Sequence, residues 1–263
     1  MSKRFSDQVI WITGASSGIG ESLARALSAE GAAIVLTARR RSRLEALAAE
    51  LPGESLIVPL DLTDGSLIPA AIQKVLSWKG HVDILVNNAG ISQRARVEDC
   101  ELSTVRRVME INFFAIVDLT QQVLPAMLAR GSGQIVNMSS VAGYVGTPMR
   151  SAYCASKHAL RAWSDSLRSE VSGRGLSVTT ICPGYVRTEI SQAALTGDGS
   201  AKGADDHAIS SAMSAEVAAA KMATAIHRRR REFYVGGKEI YAIYLQRWIP
   251  GLVAWFAPRA APK

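Results

Sequence analysis

Seven short apolar runs rich in Val and Ile are spaced along the chain, with longer stretches of helical period between them. The runs are residues 8–13, 32–37, 55–60, 82–87, 134–138, 176–181 and 232–235. A strand that is apolar at nearly every position is buried on both faces, so both faces must be covered. The segments at 19–30, 41–51, 67–79, 105–130, 153–172 and 215–229 have the length and period to cover them. The alternation predicts an α/β fold: a doubly wound parallel sheet of about seven strands with helices on both faces. No Pro/Ser-rich or charge-rich stretch divides the 263 residues, so the chain reads as a single domain, 1–263. Ligands of such sheets bind beyond the carboxyl ends of the strands, and the strand-to-helix loops are therefore where function is to be sought.

A formal charge of +7 would suit a nucleic-acid-binding chain, but the basic residues fall in short separate clusters and not along one recognition helix. An acidic small ligand such as a nucleotide accounts for them without nucleic acid. The densest cluster, Arg228 to Arg231, ends the helix expected at 215–229, where cations meet the negative end of the helix dipole. Contact with phosphates is its competing use. Cys100, Cys154 and Cys182 show no metal-ligand spacing, and an odd number argues against a disulfide framework. No metal site is expected. Residues 1–8 include no apolar stretch of signal-peptide length. Reduced thiols and no export signal make a cytoplasmic protein the expectation.

After the first apolar run the chain reads Thr13-Gly14-Ala15-Ser16-Ser17-Gly18-Ile19-Gly20. Glycines let the backbone turn tightly and approach a pyrophosphate, whose charge the free N–H groups of the following helix favour. Such a turn is a weak signal alone, yet it stands where a βαβ nucleotide site requires it. About twenty residues further on, an NAD site places an acid for the ribose hydroxyls. Here the second run ends Thr37-Ala38-Arg39-Arg40-Arg41. The planar guanidiniums of Arg39 and Arg40 suit a 2′-phosphate, so NADP(H) is the expected cofactor.

Tyr153 and Lys157 stand four residues apart in the helical segment after the fifth run, on one helical face. A phenol is a poor acid or base at neutral pH, and a neighbouring ammonium would lower its pKa. Ser140 lies just past the end of the fifth run, where its hydroxyl can hydrogen-bond a substrate carbonyl as Tyr153 delivers a proton. Ser139 is a rival for that place.

These motifs, with Asn87-Asn88-Ala89-Gly90 and Pro183-Gly184, fall in order and at spacings that resemble the compact branch of the short-chain dehydrogenase/reductase family. The resemblance runs from Val9 to about Gly237 and implies a Rossmann fold. The family interval of thirteen residues before the tyrosine selects Ser140 over Ser139. By the same resemblance Asn112 kinks its helix to hold a proton-relay water, Ser140 orients the substrate, Tyr153 is the acid/base, and Lys157 holds the ribose and tunes Tyr153. The turn residues Gly14, Ser16, Ser17, Gly18, Ile19 and Gly20 would face the pyrophosphate. Asp61 and Leu62 match the stretch that approaches the adenine, and Asn88, Ala89 and Gly90 the segment beside the cofactor. Pro183, Gly184, Val186 and Thr188 match the segment that contacts the nicotinamide end.

The implied reaction is hydride transfer between nicotinamide and a carbonyl or secondary alcohol, needing no metal. A cofactor-binding sensor or scaffold without turnover is the alternative. Residues 82–86, 150–153, 183–185 and 194–200 are similar to the dehydrogenase/reductase member 7 group, itself similar to hydroxysteroid dehydrogenases and lipid-ketone reductases. That likeness biases the substrate toward bulky apolar carbonyls, lipid- or steroid-like. Assembly as a homodimer or homotetramer is what the family implies.

Two further segments carry expectations. Residues 190–212 are polar, small and Gly-punctuated, as a substrate lid would be. The extension at 238–263 is apolar and aromatic, but Gln246, Arg247 and Pro250-Gly251 leave no run long enough to span a bilayer. Its uses are packing on a second subunit, roofing an apolar site, or peripheral contact with a membrane surface.

Overall fold

In the computed structural model, which describes residues 3–204 and 212–260, seven strands form one parallel sheet. They are β1 (Val9–Thr13), β2 (Ala33–Thr37), β3 (Ser55–Ile57), β4 (Ile84–Asn87), β5 (Gly133–Met138), β6 (Leu176–Pro183) and, after two short strands elsewhere, β9 (Glu232–Val235). The order is β3-β2-β1-β4-β5-β6-β9. The chain builds outward from β1 in one direction, returns, and builds outward in the other. That reversal opens a crevice between β1 and β4 at their carboxyl ends, where an open α/β sheet takes its ligand.

Both faces are covered as the apolar runs demand. On one side lie α1 (Gly18–Ala29), α2 (Arg41–Glu50) and α7 (Ala215–His227), which send Leu23, Leu27, Leu44, Met222 and Ile226 into the core. On the other lie α3 (Ile68–Lys79), α5 (Ala115–Arg130) and α6 (Ser151–Glu170), contributing Ile68, Val75, Leu119, Val123 and Leu167. Trp11, fully buried in β1, satisfies its indole by donating to Thr37 Oγ1 at 2.8 Å. A buried indole N–H left without an acceptor would carry a desolvation cost, and the threonine removes it.

Three departures from the expected elements have local causes. The third run extends to Leu60 in sequence, but β3 stops at Ile57 because Pro59 has no N–H to continue the ladder; Val58 and Leu60 still donate singly to Leu36 and Ala38. The helix expected at 105–130 begins earlier, as α4 (Leu102–Met109), and reaches α5 through a π-helical turn, Glu110–Phe114. By length and composition alone Leu102–Arg130 would suffice to cross a membrane, but Ile116, Leu119 and Val123 are spent in the core. Finally, the extension is structured: the 3-10 turn Lys238–Ile240 leads into α8 (Tyr241–Trp248) and α9 (Pro250–Phe256).

The remaining strands, β7 (Val186–Arg187) and β8 (Met213–Ser214), pair with each other beside β6. Of the segment expected as a lid, residues 205–211 lie outside the described residues. Its first part is tied down: Leu195 bridges to Gln93 and Ala201, and Ser191, Ala194 and Leu195 are buried.

Candidate active site

At the crevice the turn after β1 is held open by its glycines. Gly14 and Gly18 have φ of +66° and +57°, in the left-handed region that side chains disfavour. A Cβ on Gly20 would stand 2.3 Å from the carbonyl oxygen of Gly14, so α1 can pack this close to the turn only with glycine there. Across the crevice, Thr13 Oγ1 accepts from the backbone N–H of Asn88 and Ala89, at 3.0 and 3.1 Å. The amide of Asn88 in turn donates to the carbonyls of Thr13 and Gly14. Thr188 closes the same place from the β6 side, its Cγ2 standing 3.0 Å from where a Gly18 Cβ would be. Turn, Asn88–Gly90 segment and Thr188 thus converge around the start of α1, where Ser17 is the N-cap residue and Ile19 is packed against the core.

The outer end of the crevice is basic. Arg40 donates from Nη2 to Ser16 Oγ at 3.1 Å and stands 3.9 Å from the Glu189 carboxylate. It is also the residue before α2, whose first turn holds no acid. Asp61 follows β3; burial would raise its pKa, but hydrogen bonds from Thr63 and the charges of Arg39 and Arg107 lower it overall. The side chain of Leu62 is buried in the core, which leaves only its backbone to meet a ligand.

Beyond the ends of β4 and β5 stand the reactive candidates. Asn112 is fully buried in the π turn, where its Oδ1 accepts from Ile91 N at 2.8 Å and its Nδ2 donates to Ile91 O at 2.9 Å and Ser156 Oγ at 3.0 Å. The extra residue of a π turn re-aims this side chain without breaking the long helix. Lys157 donates from Nζ to Met138 O at 2.8 Å. Asn112 Oδ1 and Lys157 Nζ both lie within 3.4 Å of where a Gly90 Cβ would be, so the glycine brings them together.

Ser140 caps the short turn Val141–Gly143, accepting from Ala142 N at 3.1 Å, and donates to Pro183 O at 3.3 Å; with Tyr153 it lines the same cavity. Ser139 points the other way: it is buried and donates to Lys157 O at 3.0 Å. Geometry therefore separates the two serines.

The electrostatics differ from the simplest sequence expectation. Burial raises the Tyr153 pKa, opposed by the neighbouring Ser140 hydroxyl and the charges of Arg150 and Arg94. The Lys157 ammonium lies 5.8 Å from the centre of the tyrosine ring, and burial lowers its own pKa to about 8. Two arginines that sequence reasoning missed, Arg94 and Arg150, add to the cationic field at the tyrosine.

Ser140 and Tyr153 open onto a cavity of about 320 Å³. Val141, Ala142 and Val145 line one wall, with Arg94 and Arg150 beside the tyrosine. The opposite side is made by the extension: Glu239, Ala242, Leu245, Leu252, Val253 and Phe256. From the expected lid, Ile190 alone among the described residues lines it. Among the described residues no group of three His, Cys, Asp or Glu side chains stands together as a metal would need.

A family model described as short chain dehydrogenase matches residues 8–198. The chain belongs to the short-chain dehydrogenase family. A Drosophila melanogaster protein named dehydrogenase/reductase SDR family protein 7-like is 40% identical over 264 residues, covering 97% of this chain and 81% of that protein. A short-chain dehydrogenase from Streptomyces avermitilis superposes with a TM-score of 0.82 at 32% identity, over 94% of this chain and 97% of that one. A Beutenbergia cavernae structure, described as an NAD(P)-dependent gluconate 5-dehydrogenase with NADP bound at low occupancy, is 35% identical with a TM-score of 0.68, covering 73% and 78% of the two chains. A Burkholderia phymatum family member in complex with NAD shares the fold, with a TM-score of 0.83 at 24% identity over 95% and 96%. For a short-chain dehydrogenase the converging glycine turn, Asn88 segment and Thr188 fit a nicotinamide dinucleotide.

Proposed function

We propose that this short-chain dehydrogenase interconverts ketones and secondary alcohols on bulky apolar substrates, using NADP(H). The observation that carries the reading is the pair of hydroxyls, Ser140 and Tyr153, brought together at the wall of a largely apolar cavity. The nicotinamide supplies the hydride. Ser140 donates a hydrogen bond to the substrate oxygen, and Tyr153 gives that oxygen its proton in reduction or takes it in oxidation. Arg94 and Arg150 favour the phenolate against the burial that disfavours it. Lys157 and Asn112, meeting at Gly90, hold the cofactor-side wall and connect Tyr153 toward proton exchange.

The preference for NADP(H) rests on Arg39 and Arg40 and on the absence of an acid at the end of β2. The substrate class rests on the cavity's lining, to which Ile190, at the start of the segment expected as a lid, contributes. Measuring oxidation of NADPH and NADH against steroid, acyl-lipid, sugar and aromatic ketones tests all three points. Turnover of sugars alone would overturn the substrate reading, NADH preference the cofactor reading, and no turnover the reaction.

We also infer a cytoplasmic homodimer or homotetramer assembled through α4–α5 and α6, a reading supported by the half-exposed Phe114 that ends the π turn. The exposed Tyr241, Trp248, Trp255 and Phe256 of the extension, flanked by Arg247, suit peripheral contact with an anionic membrane surface. Co-sedimentation with anionic vesicles at low salt is expected of the full chain and not of one ending at Gly237; equal behaviour would remove the membrane assignment.

A further inference from the structure

The extension covers the cavity while being anchored to the body by few buried side chains. In α8 the buried residue is Ile243 and in α9 it is Val253. Tyr244 adds an edge-on contact with Tyr234, ring centres 5.8 Å apart. So little apolar burial does not by itself fix where two short helices lie.

Glu239 supplies a polar attachment at their root. Its carboxylate Oε1 accepts from the backbone N–H of Tyr185 at 2.7 Å and of Gly237 at 2.9 Å. The slot that receives it exists only because glycines line it: a Cβ on Gly184 would stand 2.0 Å from Oε1, and one on Gly236 2.5 Å. Charge-assisted bonds to two backbone donors are stronger than neutral ones and directional. The far side of this slot is the Pro183–Tyr185 stretch, whose Pro183 carbonyl accepts from Ser140. One carboxylate therefore ties the cavity's roof to the backbone that meets the reactive serine.

We propose that Glu239 is a positioning and specificity-determining residue, a clasp that holds α8 and α9 over the cavity so that bulky apolar substrates are gripped while small ones are indifferent to it. The proposal rests on the reaction assigned above, and its test separates the two. Glu239→Gln keeps an oxygen acceptor for both N–H groups, Glu239→Ala removes it, and Gly236→Ala keeps the carboxylate but fills the slot.

Each variant is assayed with NADPH and either benzophenone or acetone, and amide hydrogen exchange of residues 241–256 is followed in the same preparations. Glu239→Ala and Gly236→Ala are expected to raise KM for benzophenone about tenfold more than KM for acetone and to speed exchange in the roof. Glu239→Gln should restore most of the wild-type behaviour. Unchanged exchange in Glu239→Ala overturns the clasp, and faster exchange with an unchanged benzophenone-to-acetone ratio overturns its role in specificity. Equal losses on both ketones also overturn that role. If the wild type reduces neither ketone, nor any other carbonyl, the reaction reading fails, and the exchange measurement still judges the clasp.

Discussion

Around Gly14 the backbone is enclosed by Asn88, Ala89 and Gly20, whereas around Trp248 the side chain is 78% exposed and its helix buries Ile243. The first belongs to the sheet and its cofactor turn, the floor of the site, and the second to the extension that roofs the cavity. Where the chemistry repeats from one substrate to the next, the chain spends glycines, buried hydrogen bonds and core side chains. Where shape must vary with the substrate, it uses two short helices tied at Glu239. Stability and specificity are thereby built from different parts of the molecule, and mutations should divide the same way.

The largest effect is expected at the junction of the two. Tyr153→Phe removes the transferable proton and keeps the ring, so turnover should fall by roughly 10²–10⁴-fold while cofactor affinity, read by NADPH fluorescence titration, stays near wild type. Substantial turnover in that variant would mean the proton comes from elsewhere and would break the division. On the floor, Trp11→Ala should cost about 3–5 kcal/mol, read as a lowered denaturant midpoint, because a fully buried indole and its bond to Thr37 are lost together.

Lys157 gives the comparison a pH signature. Burial lowers its pKa to about 8 from the ordinary 10.5. Between those values the unfolded chain holds the proton and the folded chain does not, so this residue makes stability rise with pH from about 8 to 10.5. Below pH 8 its full cost is present, roughly 3 kcal/mol by linkage. Lys157→Met should flatten that rise when denaturant midpoints are compared with wild type across the window; parallel curves would show the ammonium to be well solvated. Next in size, neutralising Arg39 and Arg40 together should weaken NADPH binding by roughly 10–100-fold and NADH binding far less, and equal losses would refute the 2′-phosphate assignment.

The floor was legible in the sequence because its causes are local. Continuous apolar runs, a glycine turn between strand and helix, and Tyr153 and Lys157 on one helical face each announce themselves within a few residues. The end of β3 was readable too, had Pro59 been given its weight. The π turn at Asn112 was announced only by the family resemblance, which implied a kink there, since no residue type in Glu110–Phe114 demands it; its partners Ile91 and Ser156 lie far away in sequence. The roof was harder still. Its aromatic composition signalled an unusual segment but left subunit packing, roofing and membrane contact open, and what places it over the cavity is a carboxylate meeting Tyr185, 54 residues away. Arg94 had no signal at all, since it reaches Tyr153 by tertiary folding, whereas Arg150, the residue before α6 and three before Tyr153, was within reach of spacing.

The smallest effect should come from the residue that looks most conspicuous. Trp248→Ser removes a side chain as large as Trp11, but one that is 78% exposed against none. Its loss should change the denaturant midpoint by no more than about 0.5 kcal/mol, as for other surface positions. What it should alter is the roof's outer surface: co-sedimentation with anionic vesicles, or the oligomer's mass in solution, because an exposed indole among Tyr244, Ile249 and Trp255 forms an apolar patch that some surface is expected to meet. Loss of vesicle binding with unchanged mass would assign the patch to lipid, and a drop in mass would assign it to a second copy of the chain. A destabilisation approaching that of Trp11→Ala would instead mean that the roof shares the core's energy, and the contrast between floor and roof would not hold.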